Sequence, residues 1–204
     1  ALGYKSWVIK EYFLNYREWM TNDFVMADGG RSIRCMSEDI ADWTITFVDT
    51  GLHSNIGQRL LRVRRYLGEE DVFLANYADA LTDLPLDEHV ADFRSRSVVA
   101  SFLAVPTAQS FHGVYSDDDG IVNAFGQMRH ADFWVNAGYF CLRREIFDYI
   151  EEGDELVEKP FQQLIAERKL AVFRYRGFWQ QMDTFKDKIT YDRMEGRSEC
   201  PWMV

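Results

Sequence analysis

A chain of 204 residues with 47% hydrophobic and 15% aromatic content can bury one well-formed core, and no apolar run approaches the roughly 18 residues of a membrane-spanning helix. A formal net charge of −10 repels polyanions and argues against nucleic acid as a partner, while a single nucleotide stays possible because a divalent cation offsets charge locally. Three scattered cysteines, Cys35, Cys141 and Cys200, show no zinc spacing and read as reduced thiols; with no secretory signal pattern, a soluble, cytoplasmic protein with one domain over residues 1–204 is expected.

The apolar spacing of Val8, Tyr12 and Tyr16, with Ile9, Phe13 and Met20 beside them, predicts an amphipathic helix from Lys5 to Met20, which Ser6 can cap. A polar stretch with Gly29 and Gly30 follows. Thr44 to Thr50 is β-branched and alternating, and reads as a strand broken by Gly51. From Gly57 to Leu67 a helix sets Leu60, Val63 and Leu67 against a face of arginines. The next unit is a strand from Val72 to Tyr77 and a helix from Leu86 to Arg94. Val98 to Val105 is nearly all apolar, as in a strand covered on both faces. His112 to Gly126 reads as a hairpin turning at Asp117 to Gly120, and Phe133 to Leu142 as a strand leading into a helix that stops at Gly153. A helix from Glu155 to Arg168, a strand from Leu170 to Tyr175 and a polar helical tail complete the chain. This alternation argues for a layered α/β domain with a mixed, mostly parallel sheet.

Ligands in open α/β sheets bind beyond the carboxyl ends of strands, which directs attention to four places. Asp79 and Asp83 follow the strand VFLANY, and Asp183 follows the aromatic turn Gly177, Phe178, Trp179. Hard cations such as Mg²⁺ take carboxylate oxygens, and two neighbouring strand ends would supply them. The competing reading makes Asp79 or Asp83 the cap of the helix at Leu86 and Asp183 the cap of the helix near Phe185, and spacing alone favours it. Asn136, inside WVNAGYF, is either a buried amide satisfied by backbone or a group facing a sugar hydroxyl. The loop Gly51 to Gly57 feeds Arg59 at a helix N-terminus that favours anions, whereas Arg62, Arg64 and Arg65 read as a solvated basic face. No role follows for His53, His89, His112 or His130. Asp117, Asp118 and Asp119 match a glycosyltransferase DxD metal motif, but DDDG is more simply a turn.

The strings LGYKSWVIKEYF, ITFVDTG, GQRL, FLANYADALTDL, NAGYF, GFWQQMDTFKDK and CPW run in this order along the chain, and in that order they resemble the glucose-1-phosphate cytidylyltransferase family. The resemblance extends from the first residue to the last. It implies a three-layer α/β/α nucleotidyltransferase fold of the Rossmann-like kind. It also implies that a phosphate oxygen of α-D-glucose 1-phosphate attacks the α-phosphorus of CTP, giving CDP-glucose and pyrophosphate. By the same resemblance Asp79, in ANYADAL, and Asp183, in QMDT, are ligands of Mg²⁺. Ser54 and Arg59 match positions that contact nucleotide or substrate, Ala78 stands where the family has a glycine that approaches the ligand, and Asn136 falls in the strand lining the sugar site.

Three departures accompany the resemblance. The family's first strand, its GGxGTRL loop, its KPM lysine and its second strand have no counterpart in the sequence, so no catalytic residue is assigned and these residues alone are expected to be inactive. Ala78 and Ala80 replace glycines, and their methyl groups would crowd a ligand. The sugar-side lysine is absent from Gly126, Gln127, Met128, Arg129, where Arg129 is the one available substitute. Without the family's first strands apolar edges stay open, so either a longer chain or a partner chain, as in a homo-oligomer, covers them. Two rival functions remain: a metal-dependent glycosyltransferase using Asp117 to Asp119, and a non-catalytic sugar-nucleotide-binding module.

Overall fold

In the computed structural model, which describes residues 1–106, 112–127 and 133–203, the chain divides into two units: Ala1–Gly68 with Ile150–Leu156, and Glu69–Tyr149 with Val157–Val204.

The first unit opens with helix α1 (Ser6–Leu14), shorter than its apolar spacing predicts. Ser6 does not cap it: the residue before the helix is Lys5, in the left-handed region at φ 51°, and no side chain bonds the first turn. None of its residues is buried, and Trp7, Tyr12 and Leu14 are exposed. The glycine stretch is a hairpin of β1 (Phe24–Ala27) and β2 (Ser32–Cys35), turning through Gly29 and Gly30 at positive φ. Its strands are exposed on both faces, so no burial alternation marks them in the sequence. The strand expected at Thr44 to Thr50 does not form. A strand needs a neighbour along its length, and here Leu2 supplies a single parallel bridge to Asp49, donating to the Val48 carbonyl and accepting from Thr50 N–H, each at 2.8 Å. Helix α2 (Ile56–Val63) begins one residue earlier than expected because Asn55 and Gln58 form a reciprocal capping box. Gly57 lies so close to the Asp154 carbonyl that a Cβ would stand 2.2 Å from its oxygen.

The second unit is built on a four-stranded sheet in the order β3 (Val72–Asn76), β8 (Trp134–Arg143), β5 (Ala100–Pro106), β9 (Leu170–Arg174). The sheet is mixed, as expected, but β5–β9 is its one parallel pairing among the described residues, and β8 runs antiparallel to both β3 and β5. The reason lies in the β5–β8 connection, whose described residues form the hairpin of β6 (His112–Ser116) and β7 (Val122–Gln127). Helix α3 (Leu86–Ser95) packs on the sheet through His89 and Phe93, and α4 (Lys159–Ala166) through Phe161 and Leu164. The stretch after β8 is a 3₁₀ turn, Arg144–Asp148, rather than a helix reaching Gly153. A separate two-stranded ribbon pairs β4 (Ala80–Thr82) with β10 (Trp179–Gln181), and α5 (Phe185–Gly196) closes the chain. The three cysteines are free thiols, and among the described residues no helix is long and apolar enough to cross a membrane.

His89 sits in this core fully buried, with Nε2 3.1 Å from Ser101 Oγ, its ring stacked on Phe173, and Nδ1 without a hydrogen-bond partner. Burial lowers its pKa from the ordinary 6.5, against a smaller opposing pull from Asp92. The native state therefore resists a proton that the unfolded chain accepts, so this stability is complete above pH 6.5 and is lost as pH falls below it. Urea midpoints are expected to drop between pH 7.5 and pH 5.5, and His89→Leu should flatten that dependence.

Candidate functional site

The ends of β4 and β10 meet where the sequence places its two aspartates. In the antiparallel register Gln181 lies opposite Ala80, and one further bond, Met182 N–H to the Asp79 carbonyl at 2.7 Å, extends the ribbon past the last pair. Asp79 and Asp183 thus lie on adjoining strand ends, both exposed. Neither is a helix cap. Thr184 caps α5 in a capping box with Asp187, and α3 starts behind Pro85 with no side-chain cap. The box was legible in the sequence as Thr184-x-x-Asp187. Asp83 is engaged elsewhere, its Oδ1 accepting from the Tyr175 hydroxyl at 2.7 Å and from Phe178 N–H at 2.8 Å.

The donor set suits a hard divalent cation. The Asp79 carboxylate has no hydrogen bond or ion pair among the described residues, and Asp183 accepts one bond from Gln181 Nε2. No group of three or more acidic, histidine or cysteine side chains that could hold a metal occurs among those residues. Two exposed carboxylates without a cage suit Mg²⁺, whose octahedron is commonly completed by substrate phosphates and water.

Strand β8 braces this corner. Tyr77 N–H donates to the Gly138 carbonyl at 2.8 Å, the Tyr139 hydroxyl to the Ala80 carbonyl at 2.7 Å, and Trp179 Nε1 to the Ala137 carbonyl at 2.9 Å. Gly138 has φ 76°, and a Cβ there would stand 2.4 Å from the Tyr77 ring. Asn136 is exposed, and its Oδ1 accepts from Gly138 N–H at 2.9 Å, while its amide nitrogen has no hydrogen bond among the described residues. Ala78 is exposed, whereas Ala80 is buried at 5%, so of the two methyl groups only the first can crowd a ligand. Sequence reasoning passed over Tyr139 and Trp179, whose roles depend on partners about 40 to 60 positions away.

Ser54 and Arg59 belong to the first unit. Ser54 Oγ donates to the Thr50 carbonyl and accepts from Arg62 Nη1 at 2.8 Å; Arg59 Nη1 donates to Thr50 Oγ1 at 2.7 Å. Arg62 also donates to the Thr50 carbonyl, so it ties down the loop while staying exposed on the same face as Arg64 and Arg65. Asp117 accepts from Asp119 N–H and Ile121 N–H, at 3.2 and 2.9 Å, as a turn residue does. Arg129 lies outside the described residues.

No protein-family model matches the sequence. The glucose-1-phosphate cytidylyltransferase of Salmonella typhi is 32% identical over 207 residues, covering 98% of this chain and 78% of that protein. A Bacillus subtilis protein assigned the same name is 30% identical, covering 100% of this chain and 79% of its own length. Among solved structures, HddC from Yersinia pseudotuberculosis matches with a TM-score of 0.54, covering 96% of this chain and 76% of that one. A Bacillus anthracis protein assigned as a glucose-1-phosphate thymidylyltransferase matches with a TM-score of 0.51, covering 76% of this chain and 66% of that one. Both are 13% identical and show a shared fold alone.

Proposed function

The chain belongs to the glucose-1-phosphate cytidylyltransferase family of sugar-phosphate nucleotidyltransferases, and from that premise we propose that it serves transfer of CMP from CTP to α-D-glucose 1-phosphate, releasing pyrophosphate. The observation that carries the reading is the meeting of Asp79 and Asp183 at the ends of β4 and β10, joined by the Met182 to Asp79 backbone bond. These two side chains would hold Mg²⁺, which when bound neutralises triphosphate charge as the bond to the leaving pyrophosphate breaks. Asn136 is suited to a sugar hydroxyl through its free amide nitrogen. Ser54 and Arg59 are proposed to reach nucleotide or substrate, the arginine from the first turn of α2. A homo-oligomer belongs to the same reading and is supported by the exposed apolar side chains of α1.

On this reading the triphosphate needs a phosphate cradle of the GGxGTRL kind, a string that the 204 residues do not contain. The expected result is Mg²⁺-dependent CTP binding without pyrophosphate release from these residues alone, and release once a segment bearing that loop is joined to them. Coupled detection of pyrophosphate with CTP and glucose 1-phosphate checks both arms. Release without the loop overturns the need for a cradle. Failure of CTP to bind with Mg²⁺ overturns the site.

A further inference from the structure

A three-residue, two-stranded ribbon has little stability of its own, yet β10 sets the position of Asp183. Besides β4 and the Trp179 bond to the Ala137 carbonyl, β10 is held by a set of contacts that converge on the C-terminal turn. Phe178, immediately before the strand, has its ring 5.8 Å from that of Trp202; the Tyr191 ring on α5 lies 5.2 Å from Trp202, edge to face. Tyr191 is 9% exposed and its hydroxyl donates to the carbonyl of Gln180, in the middle of β10. Trp202 therefore touches the residue at one end of the strand and the residue that grips its centre.

The other side of this corner is open. A cavity of 360 Å³ runs between Asp79, Met182, Tyr191, Cys200 and Trp202, so space rather than packed side chains lies against the turn that carries Asp79. The C-terminal turn itself is held by Glu199 N–H to the Met194 carbonyl and by Met203 N–H to the Cys200 carbonyl, at 2.9 and 3.1 Å. It forms a fixed abutment at the end of α5.

We propose that Trp202 is a positioning residue, which through Phe178 and Tyr191 holds β10 so that Asp183 stays in register with Asp79 for a shared divalent cation. The inference rests on the metal reading of those aspartates. Loss of the indole frees Tyr191 and Phe178 to repack into the adjacent cavity, and Asp183 drifts with the strand. A misplaced ligand costs metal affinity while leaving the bulk of the sheet intact.

The test is calorimetric titration of CTP into the chain at a series of Mg²⁺ concentrations, well below the melting temperature of each variant. Trp202→Ala is expected to raise the Mg²⁺ concentration for half-maximal binding by about tenfold, the scale of a lost supporting contact at a metal site. Trp202→Phe should restore it to within about threefold, because an aromatic ring still spans Phe178 and Tyr191. Phe178→Leu should shift it in the same direction and add little in combination with Trp202→Ala, since the two act through one contact; this arm carries the test if Trp202→Ala does not fold. An unaltered Mg²⁺ dependence in Trp202→Ala, or in Phe178→Leu, overturns the clamp when Asp183→Asn does shift it. If Asp183→Asn leaves it unaltered as well, the metal site itself fails.

Discussion

Asp183→Asn and Asp79→Asn should each raise the Mg²⁺ requirement for CTP binding by at least about 100-fold, more than loss of a merely supporting contact. Both changes keep the size of the side chain and remove a charged oxygen donor. Neither should disturb folding, because Asp79 has no side-chain partner among the described residues and Asp183 has only Gln181. Melting temperatures within a degree or two of the parent, together with a large shift in the Mg²⁺ titration, would be the signature of a ligand rather than a brace. Asp119→Ala is the control that separates the rival glycosyltransferase reading. The Asp117 carboxylate already serves its own turn, so Asp119→Ala should leave the titration where it was. Metal dependence that follows Asp119 and ignores Asp183 would move the site to the hairpin.

The sheet of the second unit was largely legible because its strands carry the signal that burial imposes. VVASFLAV and FWVNAGYFCL are apolar on both faces, and they became β5 and β8 at the sheet centre. DDDG announced a turn by its residue types. Strand direction was not legible in the same way. Alternation of elements suggests crossovers, but β8 arrives from a hairpin and runs against both neighbours. Elements with no burial contrast left no trace, as in β1 and β2, and three-residue strands such as β4 and β10 exist through partners about a hundred positions away. Conversely, the alternating TITFVDT has strand composition and only one bridge. For the site, single-residue spacing made Asp79 and Asp183 look like helix caps. The ordered motifs pointed to metal ligation, and the structure removed the competing role by giving the α5 cap to Thr184 and none to α3.

Asp83→Ala should cost about 1–3 kcal/mol of stability, because one carboxylate oxygen is the acceptor for two partly buried donors. The Tyr175 hydroxyl and Phe178 N–H both end on Asp83 Oδ1, while Asp83 N–H and the Thr82 hydroxyl return bonds to the Phe178 carbonyl at 3.3 and 2.7 Å. Gly177 makes this possible: a Cβ there would stand 2.2 Å from the Tyr175 hydroxyl oxygen. Asp83→Asn keeps an acceptor oxygen in the same place, so it should cost about 1 kcal/mol or less in a urea titration at pH 7. Asp83→Asn should also differ from the parent at high pH. Burial first, then the hydrogen bond and charge of Asp83, push the Tyr175 hydroxyl from 10.0 up to about 12. The folded state holds a proton that the unfolded chain releases, so this stability is present below pH 10 and is lost as pH rises toward 12. With asparagine the charge is gone and the native pKa falls back toward its ordinary value. The alkaline loss in Asp83→Asn should therefore be shallower than in the parent, and an equally steep loss would mean that burial alone sets the Tyr175 proton. Since this knot closes the turn into β10, Asp83→Ala should also weaken the Mg²⁺ dependence of CTP binding, joining a fold defect to a site defect that Asp183→Asn shows alone.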